Sequence, residues 1–142
     1  MNISEEKIQA TASTLDFGNF TSETLATRAW QAAENNDYLE LFAYTQKCVE
    51  LYGEEGKKMN AELTDFEPAE TASKKWARND AGTCLYIMAQ AYEKLKMYPE
   101  AIQAYRTLAS DYKYAQCWDP KGWYWHPAAG ANLKADNLQY RD

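Results

Sequence analysis

One helix face is written twice in this chain, at an offset of 60 residues, and that repeat limits the folds open to it more than any other feature. Tyr98, Ala101, Ile102, Tyr105, Leu108, Ala109 and Tyr112 line up with Tyr38, Leu41, Phe42, Thr45, Cys48, Val49 and Tyr52. Both sets run i, i+3, i+4, i+7, i+10, i+11, i+14, the spacing of one face at 3.6 residues per turn. The preceding segments match as well: Leu85, Met88, Ala89 and Tyr92 follow Leu25, Arg28, Ala29 and Ala32 by 60. Two helix–turn–helix units are encoded, and such units stack because neither buries its apolar face alone.

The punctuation between these segments sets the expected elements. Thr21 or Ser22 supplies an N-cap for a first helix over about 23–33, and Asn35-Asn36-Asp37 makes the turn into a second over about 38–52. Gly53 is expected to stop that helix and Gly56 to keep the chain open. Residues 53–79 then form an insertion, charged and centred on Pro68, with one short helix over 69–78 and Trp76 as a peg onto the core. A third helix is expected over about 80–96, capped by Asn79 or Asp80, and a fourth from Pro99 to about 112. Residues 1–21 carry little periodic signal, and 113–126 read as irregular, with a β-turn at Asp119-Pro120-Lys121-Gly122. Pro127 is expected to open a capping helix to about residue 140, striped by Ala128, Ala131, Ala135 and Leu138; no strand is expected.

The second copy resembles a tetratricopeptide repeat. Leu85-x2-Met88-Ala89-x2-Tyr92, followed by Ala101-x3-Tyr105, places large, large, small and aromatic residues in that family's helix-packing slots. Leu85 occupies the tryptophan slot and the closing proline is absent. The first copy, over 22–52, is a degenerate hairpin in which Leu25 and Ala29 fit while Arg28, Ala32, Leu41 and Thr45 do not. The resemblance implies a single all-α domain over 1–142: stacked antiparallel hairpins at 22–52 and 80–112, the insertion between them, and a C-terminal cap over 113–142. It further implies a groove lined by the first helix of each hairpin, which receives a peptide segment or partner protein. By position, Glu23, Ala26, Trp30, Ala33 and Glu34 face that groove from the first copy. Thr83, Tyr86, Gln90, Glu93 and Lys94 face it from the second. The other reading of Trp30 and Tyr86 is packing on the N-terminal segment or the insertion.

Composition narrows the partners. Fifteen bases against 21 acids leave a net charge of −6, and residues 1–40 hold seven acids against two bases. Without a basic stripe the chain lacks the footprint that holds a phosphate backbone, so nucleic acid and anionic membrane are not expected partners. No run approaches the roughly 20 apolar residues of a membrane span, so no membrane insertion is expected. Residues 2–7 are polar, so no secretory core follows Met1. The Tyr, Trp and Asn content points to an extracytoplasmic setting if a signal peptide has been removed, and otherwise the cytoplasm is expected.

Chemistry is thinly represented. His126 is the only histidine, which excludes a multi-histidine metal site within one chain. Cys48, Cys84 and Cys117 show no zinc spacing and no disulfide framework. Cys117 and His126 could form a nucleophile pair, but no third group to orient the base is signalled. Neither catalytic residues nor a cofactor nor a metal is expected. The conspicuous segment is 112–125, which packs Tyr112, Tyr114, Trp118, Trp123, Tyr124 and Trp125 into 14 residues. Such side chains serve as core plugs or as binding anchors. As a plug they cover the open end of the stack; as anchors they form a platform, with Trp123 and Trp125 the most exposed. The expected function is a non-enzymatic scaffold or adaptor binding a protein partner. The alternative is a carbohydrate-binding module of the cell envelope using Trp118, Trp123, Tyr124 and Trp125.

Overall fold

In the computed structural model, which describes residues 3–141, seven helices and one two-stranded sheet are present among the described residues. The single expected domain also includes Met1, Asn2 and Asp142, which lie outside the described residues. The chain is all-α in character, as expected.

The two turns inside the repeat share one geometry. Helix α2 (Ser22–Glu34), capped by Thr21 accepting from the Thr24 amide, turns into α3 (Tyr38–Ala61). Asn36 adopts φ 54° and the Asp37 amide donates back to the Ala32 carbonyl at 2.9 Å. Sixty residues on, between α5 (Trp76–Lys94) and α6 (Tyr98–Asp111), Lys96 adopts φ 60°. There the Met97 amide donates to the Tyr92 carbonyl at 2.8 Å. This six-to-one closure after a left-handed residue satisfies an orphan helix carbonyl and reverses the chain tightly. Asparagine tolerates that conformation; lysine takes it at some steric cost.

Helix α5 is the centre of the molecule. Cys84, Ile87 and Ala91 join one apolar cluster with α1 (Glu5–Ala12), α2 and α3, while Ala81, Leu85 and Ala89 join a second with α6 and α7 (Ala131–Leu138). A helix buried on two sides needs small or apolar residues nearly all round, and eleven of its 19 residues are buried. Ala89 and Ala101 are fully buried between α5 and α6, with Tyr105 beside them.

Several expectations about boundaries are corrected. Helix α1 was not expected; Ser4 caps it, Glu5 and Glu6 suit its N-terminal dipole, and only Ile8 among its residues is buried, so it has almost no apolar stripe. Gly53 and Gly56 do not stop α3: a glycine stop uses the left-handed conformation, neither has positive φ, and the helix runs on to Ala61. They let helices approach: a Cβ on Gly56 would lie 2.8 Å from the Ala77 carbonyl oxygen. The helix within 53–79 shrinks to α4 (Ala69–Ala72), and α5 begins at Trp76, after Lys75 rather than Asn79 or Asp80. Trp76 is half exposed and packs edge-on against Tyr52, ring centroids 5.5 Å apart.

After α6 the chain makes a short hairpin, which was not expected. Strands β1 (Cys117–Asp119) and β2 (Trp123–Trp125) pair antiparallel, Cys117 opposite Trp125. The expected turn joins them: the Gly122 amide donates to the Asp119 carbonyl at 2.9 Å, with Gly122 at φ 109°. Pro127 is buried ahead of α7 instead of opening it; Gly130, at φ 73°, precedes the first helical residue. Ala131, Ala135 and Leu138 bury α7 against α6, and Arg106 ties the two by reaching Asp136 at 2.6 Å.

Candidate functional site: an aromatic groove between two first helices

The face of α2 carrying Glu23, Ala26, Thr27 and Trp30 looks across an open cavity of about 1240 Å³ to α5. From α5 the lining residues are Trp76, Asn79, Asp80, Thr83, Tyr86 and Gln90, again at helical spacing. The β1–β2 hairpin supplies a third wall through Trp118, Asp119, Tyr124 and Trp125.

Three aromatic rings from these three elements meet at one end. Trp125 lies 5.1 Å from Tyr86 and 6.3 Å from Trp30, and Trp30 and Tyr86 are 6.2 Å apart. These are centroid separations at which aromatic pairs attract through edge and tilted contacts. Gln90 Nε2 donates to the Tyr86 hydroxyl at 2.6 Å, which orients that ring. Trp30 and Tyr86 therefore pack on each other and on Trp125 of the C-terminal hairpin.

A buried polar knot holds the hairpin in place. Arg78, completely buried, pairs with Glu67 at 2.5 Å and donates twice to Asn79 Oδ1 at 3.0 Å. The same Asn79 oxygen accepts the Gln116 amide at 2.9 Å, while Asn79 Nδ2 donates to the Ala72 carbonyl at 2.8 Å. Gln116 closes the loop with Glu67, accepting its amide at 3.1 Å and donating to its carbonyl at 3.2 Å. Burial pushes the Glu67 carboxyl up, but the Thr71 hydroxyl and Arg78 outweigh it and hold the group below its ordinary range. Satisfied networks of this kind fix one arrangement of the segments that they join.

The floor of the groove carries the remaining polar groups. Ser22 donates to Asp80 Oδ2 at 2.5 Å, and Thr83, whose hydroxyl donates to the Asn79 carbonyl at 2.8 Å, contacts Cys117 Sγ at 2.6 Å. Burial raises Asp80 above the ordinary aspartate range, the Ser22 hydrogen bond opposes this, and the charge of Glu23 adds to it. Burial likewise pushes the Cys117 thiol up to about 12, so it stays protonated at neutral pH. His126 stacks on Phe66 at 3.9 Å, and burial lowers it. The hydrogen-bond partners of Cys117 are Thr83 and Asn79.

Of the eight residues expected to bind a partner, Trp30, Tyr86, Gln90 and Trp125 line this groove. Glu34 is exposed near the end of α2, outside the lining. Glu93 and Lys94 border a smaller hollow between α5 and α7, where Glu93 accepts the Tyr105 hydroxyl at 2.8 Å. Trp123 sits opposite Asp119 on the hairpin, 53% exposed and off the groove. Trp118 is equally open at 58%, whereas Trp125 is half-buried. The groove residues that sequence reasoning missed include Trp76, Asn79 and Asp80 on α5, with Thr27 on α2 and Asp119 on the hairpin. The signal for those on α5 was the i, i+4, i+7 register of Trp76, Asp80 and Thr83, hidden by starting the helix at its supposed cap. No family model, curated relative or solved structure matches the chain.

Proposed function

We propose that this chain is a non-enzymatic binding module, built as tetratricopeptide-like hairpins α2–α3 and α5–α6, that takes a segment of a partner protein in the groove between α2 and α5. The observation that carries this reading is the convergence of Trp30, Tyr86 and Trp125, from three separate elements, on one open groove. Clustered aromatic anchors at a groove are what binding hot spots are made of. The tetratricopeptide comparison is supported by the two turns at Asn36 and Lys96, which repeat one closure at the 60-residue offset. It is supported too by the use of the first helix of each pair as a groove wall. A non-enzymatic role agrees with a Cys117 thiol that burial keeps protonated and that has Thr83, not a base, beside it.

One observation favours a second reading. The exposed Trp118 and Trp123 give the hairpin open indole faces on which a sugar ring could stack. Selection of a random-peptide library on the intact protein, with Trp30→Ala and Trp125→Ala proteins as controls, separates the two. Peptides retained by the native protein and weakened by about 2 kcal/mol or more in either variant support the groove. No retention above the variants, with tryptophan quenching by soluble oligosaccharides instead, overturns it in favour of the sugar reading.

A further inference from the structure

The charged side chains that line the groove are all acidic: Glu23 on α2, Asp80 on α5 and Asp119 on the hairpin. Fifteen of the 142 residues are Lys or Arg, and none of them lines it. Asp80 is the innermost of the three acids. Its oxygen accepts from neutral Ser22, and the guanidinium nearest in sequence, Arg78, is fully buried in the knot with Glu67 and Asn79. A part-buried carboxylate held without a cation costs stability, which agrees with burial raising its proton affinity.

Around these acids stand Trp30, Trp76, Trp118 and Tyr124, whose ring faces attract cations. The chain already uses this contact on the far side of the groove wall, where Lys134 of α7 lies over the Tyr86 ring at 5.3 Å. Trp30, Trp76 and Trp118 are 36%, 49% and 58% exposed, so these groove-lining indoles keep open surface even where each touches a neighbouring ring. The cavity, at about 1240 Å³, is larger than the roughly 300–1,000 Å³ of small-molecule sites and suits an extended chain.

From this charge complementarity we propose that the segment bound in the groove is basic, and that it seats a lysine or arginine side chain with its cation at Asp80 and Glu23 and its stem along the tryptophan faces. This rests on the groove reading above and adds the chemical class of its occupant.

The test is the residue composition of peptides selected from a random library on the intact protein, compared with selection on an Asp80→Asn/Glu23→Gln double variant and on Trp30→Ala. Enrichment of Lys and Arg on the native protein, lost in the double variant, is the expected result. A single selected peptide, titrated by tryptophan fluorescence, should bind about tenfold or more weakly to the double variant, the loss expected for a charge-assisted hydrogen bond. Asparagine keeps an acceptor for Ser22. If that variant nevertheless melts early, Glu23→Gln alone, on an exposed side chain of the proposed seat away from the knot, decides the question by the same titration. Peptides retained by the native protein with no basic bias, or a bias undiminished in the variants, overturn the inference and leave the groove reading standing. No peptide retained above the Trp30→Ala background overturns both.

Discussion

Replacing Gly56 with alanine asks which of two opposed effects governs the middle of α3. Alanine is the better helix former, and in an exposed helix interior the change stabilises by roughly 0.5–1 kcal/mol. At Gly56, however, the new methyl would sit 2.8 Å from the Ala77 carbonyl oxygen, 2.9 Å from Arg78 Cα and 3.0 Å from the Ala77 carbonyl carbon. All three are backbone atoms, so no rotamer change can make room. The Arg78 side chain is also anchored in the knot, which resists a shift of α5. With no rotamer to relieve it, overpacking here should fall in the upper half of the usual range, about 2–3 kcal/mol, and the helix gain of about 1 kcal/mol leaves a net loss of about 1–2 kcal/mol.

An unfolding entropy of about 2.1 cal/mol/K per residue over 142 residues gives about 0.3 kcal/mol/K, so the melting temperature should fall by about 3–7 °C. Gly53→Ala is the internal control. Its methyl would meet the Tyr112 hydroxyl at 3.2 Å, which donates to the Gly53 carbonyl at 2.7 Å, and Val49 Cγ1 at 3.3 Å, both side-chain atoms for which a shift of a few tenths of an ångström suffices. Gain and loss should nearly cancel there. Calorimetry and urea titration of both variants check the pair. A Gly56→Ala protein that melts higher than the native one would refute the close approach of α3 to the start of α5, and with it the position of the groove's lower wall.

Arg78→Met should cost about 3–5 kcal/mol, because it strands the Glu67 carboxylate in a buried site, and adding Glu67→Gln should recover part of that loss in urea titration. The two perturbed carboxylates at the groove and its supporting knot should oppose each other on acidification. Glu67, held below its ordinary value, adds stability that is complete above about pH 4.5 and lost as pH falls through its lowered value. Asp80, raised, carries a cost that is complete above its raised value and relieved as pH falls toward the ordinary 3.8. Asp80→Asn should therefore melt higher than the native protein at pH 7, and the difference should shrink on acidification; a lower melt at pH 7 would contradict this sign.

The repeat was legible because packing wrote it at helical spacing on both copies, and the residues it marked, among them Leu25, Ala29, Ala89, Ala101 and Leu108, are buried. What escaped was whatever lacked a stripe or used a residue against its usual role. Helix α1 buries a single side chain, so periodicity had nothing to detect. Gly53 and Gly56 carry the composition of a helix stop, yet they are helix-packing residues, and only the partner backbone at Ala77 reveals it. Strands of three residues, as in β1 and β2, are too short for alternation to be counted.

The groove itself was half legible, and the missing half explains how it is built. Trp30, Tyr86 and Gln90 follow from the helix register, and Trp125 stood out by composition, but nothing local says that Trp125 meets the other two. That meeting depends on Gln116, which fixes the start of β1 to Asn79 at one atom and to Glu67 at two others. Glu67 lies in the segment between the hairpins, a stretch whose charge and proline read as solvated loop. A charged residue there is indistinguishable in sequence from an exposed one; only its pairing with a fully buried Arg78 separates them. The inserted segment thus has a structural role: it supplies the counter-charge with which the buried Arg78 pairs inside the knot. No Lys or Arg lines the groove beside its three acids, and its aromatic third wall is held over the two helices by the same few hydrogen bonds.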